Sequence, residues 1–185
     1  EDTVVEMPIG VFGKRLEVQS HLIFWKTELI NTIHALLKNN GFFTNGMMFC
    51  NFAQIQTLLN KDETKNGAVI IELGGSSSKI SFIKHDTIQQ SIVIPMGGDV
   101  LTKDIAKCLD CSIPESERLK ILYGNIDLAS IDPQETITVL TQNEGHKKIK
   151  LMLLSQIIQA RIRELFLYFI KKLPMITQDT YPIIL

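Results

Sequence analysis

Ala68-Val69-Ile70-Ile71-Glu72-Leu73-Gly74-Gly75-Ser76-Ser77-Ser78-Lys79 is the stretch that decides the reading of this chain. Its first six residues are apolar and rich in β-branched side chains, the pattern of a strand buried on both faces. Ser78 to Ile83 and Ile88 to Ile94 repeat the strand signal, and the polar turn Lys84-His85-Asp86-Thr87 joins them as a hairpin. Between the first two strands the paired glycines let backbone N–H groups converge without a Cβ in the way. Such a turn is either a phosphate-binding nest, with three serine hydroxyls as added donors, or simply a tight turn. Glu72 at its mouth is the side chain able to hold a hydrated Mg²⁺ shared with phosphates. The spacing is not that of a P-loop, because no Gly-Lys pair closes it and a strand follows instead of a helix. No serine here sits in a Gly-x-Ser-x-Gly elbow.

Downstream, Pro95-Met96-Gly97-Gly98 opens a helix carrying Val100, Leu101, Ile105 and Leu109. Pro114 opens another, through Leu119 and Leu122, which stops at Gly124. A short β region covers Thr136 to Leu140. The longest helix, from Gln156 to Leu173, has Ile158, Ile162, Leu165, Phe166, Phe169 and Leu173 on one stripe. A final strand begins at Ile183. Upstream, Arg15 to Phe24 alternates with period two, with Leu16, Val18, Leu22 and Phe24 on one face and Glu17, Gln19 and His21 on the other, so a strand is expected there. Leu29, Ile33, Leu36 and Leu37 mark a helix stopped by Asn40-Gly41. Gly46 to Phe49 is expected to be a strand, and Phe52, Ile55 and Leu59 a short helix. The polar run Asn60 to Gly67 lacks periodicity and is the expected module boundary.

Composition narrows the classes. The 185 residues carry a formal net charge of −1 and are 45% hydrophobic, which is globular and gives no electrostatic case for nucleic acid. The cluster Lys147, Lys148 and Lys150 is expected to be a solvated turn. Cys50, Cys108 and Cys111 are too few for a disulfide framework, which points to a reducing compartment, the cytoplasm. The Cys108-x-x-Cys111 pair has no second pair for zinc and is read as closing a helix. No apolar run reaches membrane-span length and no signal peptide opens the chain. Glu1 at the start and an apolar strand at Leu185 look like the ends of a fragment.

The stretch Ala68 to Ile80 resembles the second phosphate motif of the actin, heat-shock-chaperone and sugar-kinase superfamily, D-x-G-G-G-T-T-D. Val93-Ile94-Pro95-Met96-Gly97-Gly98-Asp99-Val100-Leu101-Thr102-Lys103-Asp104-Ile105-Ala106 resembles V-I-P-x-G-G-N-x-x-T-x-D-I-A of the bacterial cell-division FtsA family. Ser116-Glu117-Arg118-Leu119-Lys120-Ile121-Leu122-Tyr123-Gly124 is similar to that family's A-E-R-I-K-x-x-Y-G. Pro8-Ile9-Gly10 and Gly13-Lys14-Arg15-Leu16 fall where the family has P-x-G-M-x-G-x-R-L.

The resemblance implies an α/β chain: residues 1–60 a partial α+β inserted module, and 67–185 an actin- and ribonuclease-H-like ATPase subdomain whose outer lobe is 97–178. It implies ATP and Mg²⁺ as cofactors. Gly74, Gly75, Ser76, Ser77 and Ser78 would cradle phosphates, Glu72 would take the metal-associated aspartate's place, and Glu117 and Lys120 would reach ribose and adenine. Read without the family, Glu117 and Lys120 are an i, i+3 surface ion pair. No catalytic residue is identified. Glu72 for Asp and Lys79 for the closing acid depart from the motif and put hydrolysis in more doubt than binding. The family polymerises and tethers FtsZ at the cytoplasmic face of the inner membrane, through a carboxy-terminal amphipathic helix not among these residues. Arg161 and Arg163 are the candidates to meet the acidic carboxy-terminal tail of FtsZ. Alternatives are a PilM-like pilus-assembly protein, a pseudo-ATPase interaction module, and a sugar kinase, for which no acidic catalytic base is evident.

Overall fold

The structure is a computed structural model that describes residues 5, 7–18, 20, 22–143, 145–173 and 180–185. The chain divides into two compact units, residues 1–45 and 46–185.

In the first unit the regular element is α1 (Thr27–Asn39), which has no buried residue. Its end is set by the Asn40 N–H bonding back to the last-turn carbonyls and by Gly41 at φ +82. The strand expected over Arg15 to Phe24 does not form at its described residues, and Leu16, Val18, Leu22 and Phe24 are exposed. Gln19 and His21 lie outside the described residues. Alternation alone does not make a strand. Its N–H and C=O groups need a neighbouring strand, and among the described residues 1–45 there is none.

The second unit starts without the strand expected at Gly46 to Phe49. Phe49 instead leads into α2 (Cys50–Leu58). The polar run Asn60 to Gly67 contains a helix, α3 (Lys61–Asn66). Asn60 accepts from the Asp62 and Glu63 N–H groups while Glu63 reaches back to the Asn60 N–H, a capping box that outweighs the missing apolar periodicity. Gly67 at φ +120 ends it, and a Cβ there would meet the Tyr181 ring at 2.6 Å.

The sheet is built as the sequence reading expects. β1 (Ala68–Leu73), β2 (Ser78–Lys84) and β3 (Thr87–Ile94) form an antiparallel run, with order β3-β2-β1-β6. β6 (Ile183–Ile184) joins β1 in parallel. His85 and Asp86 turn the β2–β3 hairpin at positive φ. One sheet face, with Val69, Ile71, Ile80 and Phe82, packs on Leu165, Phe169 and Leu173. The other, with Ile70, Ile83 and Ile88, receives Ile55 of α2.

The segment after β3 has its own core. α4 (Gly98–Leu109), α5 (Ile113–Tyr123), the hairpin β4 (Thr136–Thr141) and β5 (Gly145–Lys150), and the start of α6 (Leu151–Lys172) enclose Ile105, Leu119, Val139, Leu154 and Ile158. α6 therefore begins five residues before the expected Gln156 and serves both cores: Leu151, Leu154 and Ile158 in one, Leu165 and Phe169 in the other. Lys147, Lys148 and Lys150 lie in β5 opposite Val139, Thr138 and Thr136, not in a turn. Cys111 is buried just past α4 and Cys108 is exposed. The last residues of the expected outer lobe, 174–178, fall outside the described residues.

Candidate functional site

The Gly74–Ser77 turn is shaped by its own backbone and by α4. The Gly74 N–H donates to the Ser77 carbonyl at 3.0 Å. The Gly74 and Gly75 carbonyls in turn accept from the Gly98 and Asp99 N–H groups at 2.9 and 2.8 Å. The turn thus caps a helix whose N-cap, Gly97, offers no side-chain oxygen. That approach is close enough that a Cβ on Gly97 would lie 2.2 Å from the Gly74 oxygen. The Gly75, Ser76 and Ser77 N–H groups make no hydrogen bond among the described residues. These are donors of the kind an anion nest needs.

The three serines differ. Ser76 is exposed and Ser77 half-buried, so both hydroxyls are available at the turn. Ser78 is fully buried and donates to the Met96 carbonyl at 2.7 Å, binding the strand to the loop before α4. Behind it lies a small cavity of about 110 Å³, walled by Leu73, Ser78, Met96, Leu101 and Leu165.

Lys120 and Glu117 of α5 come to the same place. Lys120 Nζ is 2.7 Å from Glu117 Oε2, 2.9 Å from Thr102 Oγ1 and 3.3 Å from the Gly98 carbonyl. The Thr102 hydroxyl lies 2.5 Å from Glu117 Oε2. Lys120, then Thr102, holds the Glu117 carboxyl below its ordinary value. The i, i+3 pair is therefore more than a helix-surface contact: Lys120 meets the Gly98 carbonyl, and the Gly98 N–H donates to the Gly74 carbonyl of the glycine turn at 2.9 Å.

Glu72 and Lys79 face each other across β1 and β2 on the α2 side of the sheet. Lys79 Nζ is 3.0 Å from both Glu72 oxygens, and Gln54 Nε2 donates to Oε2 at 2.8 Å. The hydrogen bond from Lys79, reinforced by Gln54, holds the Glu72 carboxyl below the usual carboxylate range, and Glu72 raises the Lys79 ammonium. Both oxygens are thus taken by protein donors. As a metal ligand, Glu72 does not fit Mg²⁺ in this arrangement.

The family model of the cell-division protein FtsA matches residues 69–160. FtsA of Neisseria meningitidis serogroup B is 31% identical over 166 residues, 88% of this chain and 39% of that one. FtsA of Streptococcus pneumoniae serotype 2 is 30% identical over 161 residues, 85% of this chain and 35% of that one. The chain belongs to the FtsA family. It spans about two fifths of the length of these relatives. In fold it is similar to MreB5 of Spiroplasma citri bound to ADP (TM-score 0.63, 16% identity, 80% of this chain and 47% of that one). It is also similar to a PilM–PilN type IV pilus biogenesis complex (TM-score 0.58, 15% identity, 84% and 38%). The fold is that of the actin-like ATPases.

Two further positions, both inside the quoted FtsA motif, bear on the site. Asp99, where that pattern has Asn, sits in the first turn of α4 with Oδ1 3.4 Å from the place of a Gly75 Cβ. Sequence reasoning passed over it, although the aligned Asn pointed to it. Thr102, also inside the quoted motif, was missed as the link between α4 and α5. Gln54 left no signal, because only the packing of α2 on the sheet brings it to Glu72. The two arginines separate: Arg161 is half-buried and forks onto Asp104 at 2.5 and 3.1 Å, with Glu164 as a further partner. Arg163 is exposed and has no ion pair among the described residues.

Proposed function

We propose that this chain supplies one half of the nucleotide site of an FtsA-type, ATP-binding cell-division protein. The observation that carries the reading is the meeting at Gly98 of the glycine turn, with its unbonded N–H groups, and the Thr102–Glu117–Lys120 cluster. In it, Gly75, Ser76 and Ser77 receive the terminal phosphates through backbone N–H and hydroxyl donors. Gly74 shapes the turn, and Ser78 positions it through Met96. Lys120 and Glu117 take the ribose–adenine side. Binding is the part of ATPase chemistry these residues are suited to, because both Glu72 oxygens are engaged by Lys79.

In this reading the whole protein assembles into actin-like filaments and holds FtsZ at the cytoplasmic face of the inner membrane. None of the helices among the described residues is long and apolar enough to cross a membrane. Contact with the acidic FtsZ tail falls to Arg163, since Arg161 is already paired with Asp104. A tail that orders on binding gives affinities of roughly micromolar or weaker.

The test is calorimetric titration of ATP into the complete gene product that carries residues 1–185. Lys120→Ala and Ser76→Ala/Ser77→Ala are each expected to weaken binding, with the fold retained by circular dichroism. Residues 1–185 alone are expected to bind ATP weakly, because the energy of such clefts is shared between two lobes. Absence of ATP binding by the complete protein sinks the nucleotide reading and favours a pseudo-ATPase module. Titration of an FtsZ tail peptide against Arg163→Glu tests the partner surface separately.

A further inference from the structure

The arrangement at the mouth of the glycine turn has its own cation. Lys79 is in register with Glu72 on the strands that flank the turn, one residue beyond the Leu73–Ser78 pair that closes it. Its Nζ lies equidistant, at 3.0 Å, from both carboxylate oxygens, and the pair is three-quarters to two-thirds covered (25% and 37% exposed). Gln54 occupies Glu72 Oε2 and the Cys50 sulfur lies 3.5 Å from the ammonium, so α2 holds the pair from outside. Charges of +1 and −1 cancel, which leaves no anionic pocket for a divalent ion at this point. A Mg²⁺ entering at Glu72 would have to displace a lysine whose charged form its partner favours. Asp99 is a further carboxylate beside the turn, on the α4 side next to Gly75.

Resting on the nucleotide reading above, we propose that Lys79 replaces the divalent cation at this half-site, so that the chain binds metal-free nucleoside triphosphate about as well as its Mg²⁺ complex. An ammonium fixed by a strand register needs no coordination sphere and no dehydration to face a phosphate oxygen. Glu72 then acts as a positioning residue that orients Lys79.

The experiment is calorimetric titration of ATP into the complete gene product, once with millimolar Mg²⁺ and once with excess EDTA. The expected result is two dissociation constants within about threefold of each other for the unaltered protein. Lys79→Met is expected to weaken metal-free binding roughly tenfold, the order of one partly screened cation near a phosphate. Lys79→Arg, which keeps the charge, is expected to retain metal-free binding. It also serves where Lys79→Met fails to fold. Glu72→Gln, which removes the carboxylate that orients the ammonium, is expected to weaken metal-free binding, but less than Lys79→Met does. Loss of binding in EDTA by more than about threefold in the unaltered protein overturns the proposal and leaves ATP binding standing. A folded Lys79→Met protein with unchanged metal-free affinity also overturns it. No binding in either buffer overturns this proposal together with the nucleotide reading.

Discussion

Two glutamate–lysine pairs flank one glycine turn, and they are built differently. Glu72–Lys79 lies on adjacent strands, where the pleat sets the distance and the register decides which residues meet. Glu117–Lys120 lies on one helix, where i, i+3 spacing alone would bring the two together. The helical pair is then tied to a second helix through Thr102 and to the turn through Gly98. The strand pair turns inward on itself, both oxygens engaged by one ammonium. The difference teaches that an ion pair's partners, more than its charges, decide whether it serves a site. A pair closed on both carboxylate oxygens leaves that carboxylate no face for a metal ion. A pair shared with the backbone of a binding turn transmits that turn's position to another helix.

The sharpest way to break the comparison is at the glycines that join its halves. Gly97→Ala places a Cβ 2.2 Å from the Gly74 oxygen and 2.5 Å from the Gly75 oxygen, both backbone atoms that cannot step aside. The expected loss is about 3 kcal/mol in urea unfolding, from overpacking and from the helix N–H groups parted from their carbonyls. The nearest atom to a Cβ in Gly98→Ala is the end of the Lys120 side chain, at 3.3 Å, with the Gly74 oxygen at an ordinary 3.9 Å. There the expected change is about 0.5 kcal/mol or less, because a side chain can shift and alanine favours the helix. Equal effects of the two would show that the turn does not rest on α4 as described.

Thr102→Val isolates the helical half. Thr102 is 4% exposed, so the isostere removes its hydroxyl from a covered place and leaves its partners less well satisfied. The expected cost is about 1 kcal/mol. A double-mutant cycle over Glu72 and Lys79 is expected to give a coupling of about 0.5–1 kcal/mol, toward the upper end for exposed pairs, since both oxygens are engaged. The same cycle over Glu117 and Lys120, with Thr102 intact, is expected to give about 0.3 kcal/mol. The reverse order would mean that the helical pair is the rigid one.

Sequence reading anticipates the sheet and names several of the residues that gather at the glycine turn, for reasons visible in particular residues. Ala68 to Ile94 was legible because buried β-branched runs and a polar hairpin turn are local signals, and the structure has those strands within a residue. Gly74, Gly75, Glu117 and Lys120 were legible because their motifs resemble the FtsA pattern. The strand expected at Arg15 was not there, because alternation predicts a strand only where a partner exists. α3 has no apolar periodicity to announce it, and its local signal is the capping box of Asn60 and Glu63. β5 was missed because His146, Lys147 and Lys148 are polar and only Ile149 marks an inner face. Gln54, Thr102 and the Arg161–Asp104 fork could not be read, since each depends on elements that meet only after folding.

The smallest expected effect concerns acid stability, and it separates the pairs by covering. The carboxyls of Glu72, Glu115 and Glu117 are all held below the ordinary 4.5. A carboxyl depressed in the folded state contributes stability that is fully present above its unfolded value and is lost as pH falls through the folded one. The loss therefore begins near pH 4.5 and runs downward, with neutral pH untouched. Glu115 is the best covered of the three, at 10% side-chain exposure against 37% for Glu72 and 44% for Glu117. It accepts two hydrogen bonds from Arg118 at 2.7 Å and a third from the Leu140 N–H at 3.1 Å. Removing its charge should flatten the acid limb most. In urea unfolding followed from pH 7 to pH 3, Glu115→Gln is expected to narrow the difference between the two ends more than Glu117→Gln, with Glu72→Gln between them. A steeper acid limb in Glu115→Gln than in the unaltered protein would contradict the sign. If Glu117→Gln had the largest effect, the helical pair would be better shielded from solvent than its exposure implies, and the comparison of the two pairs would have to be reversed.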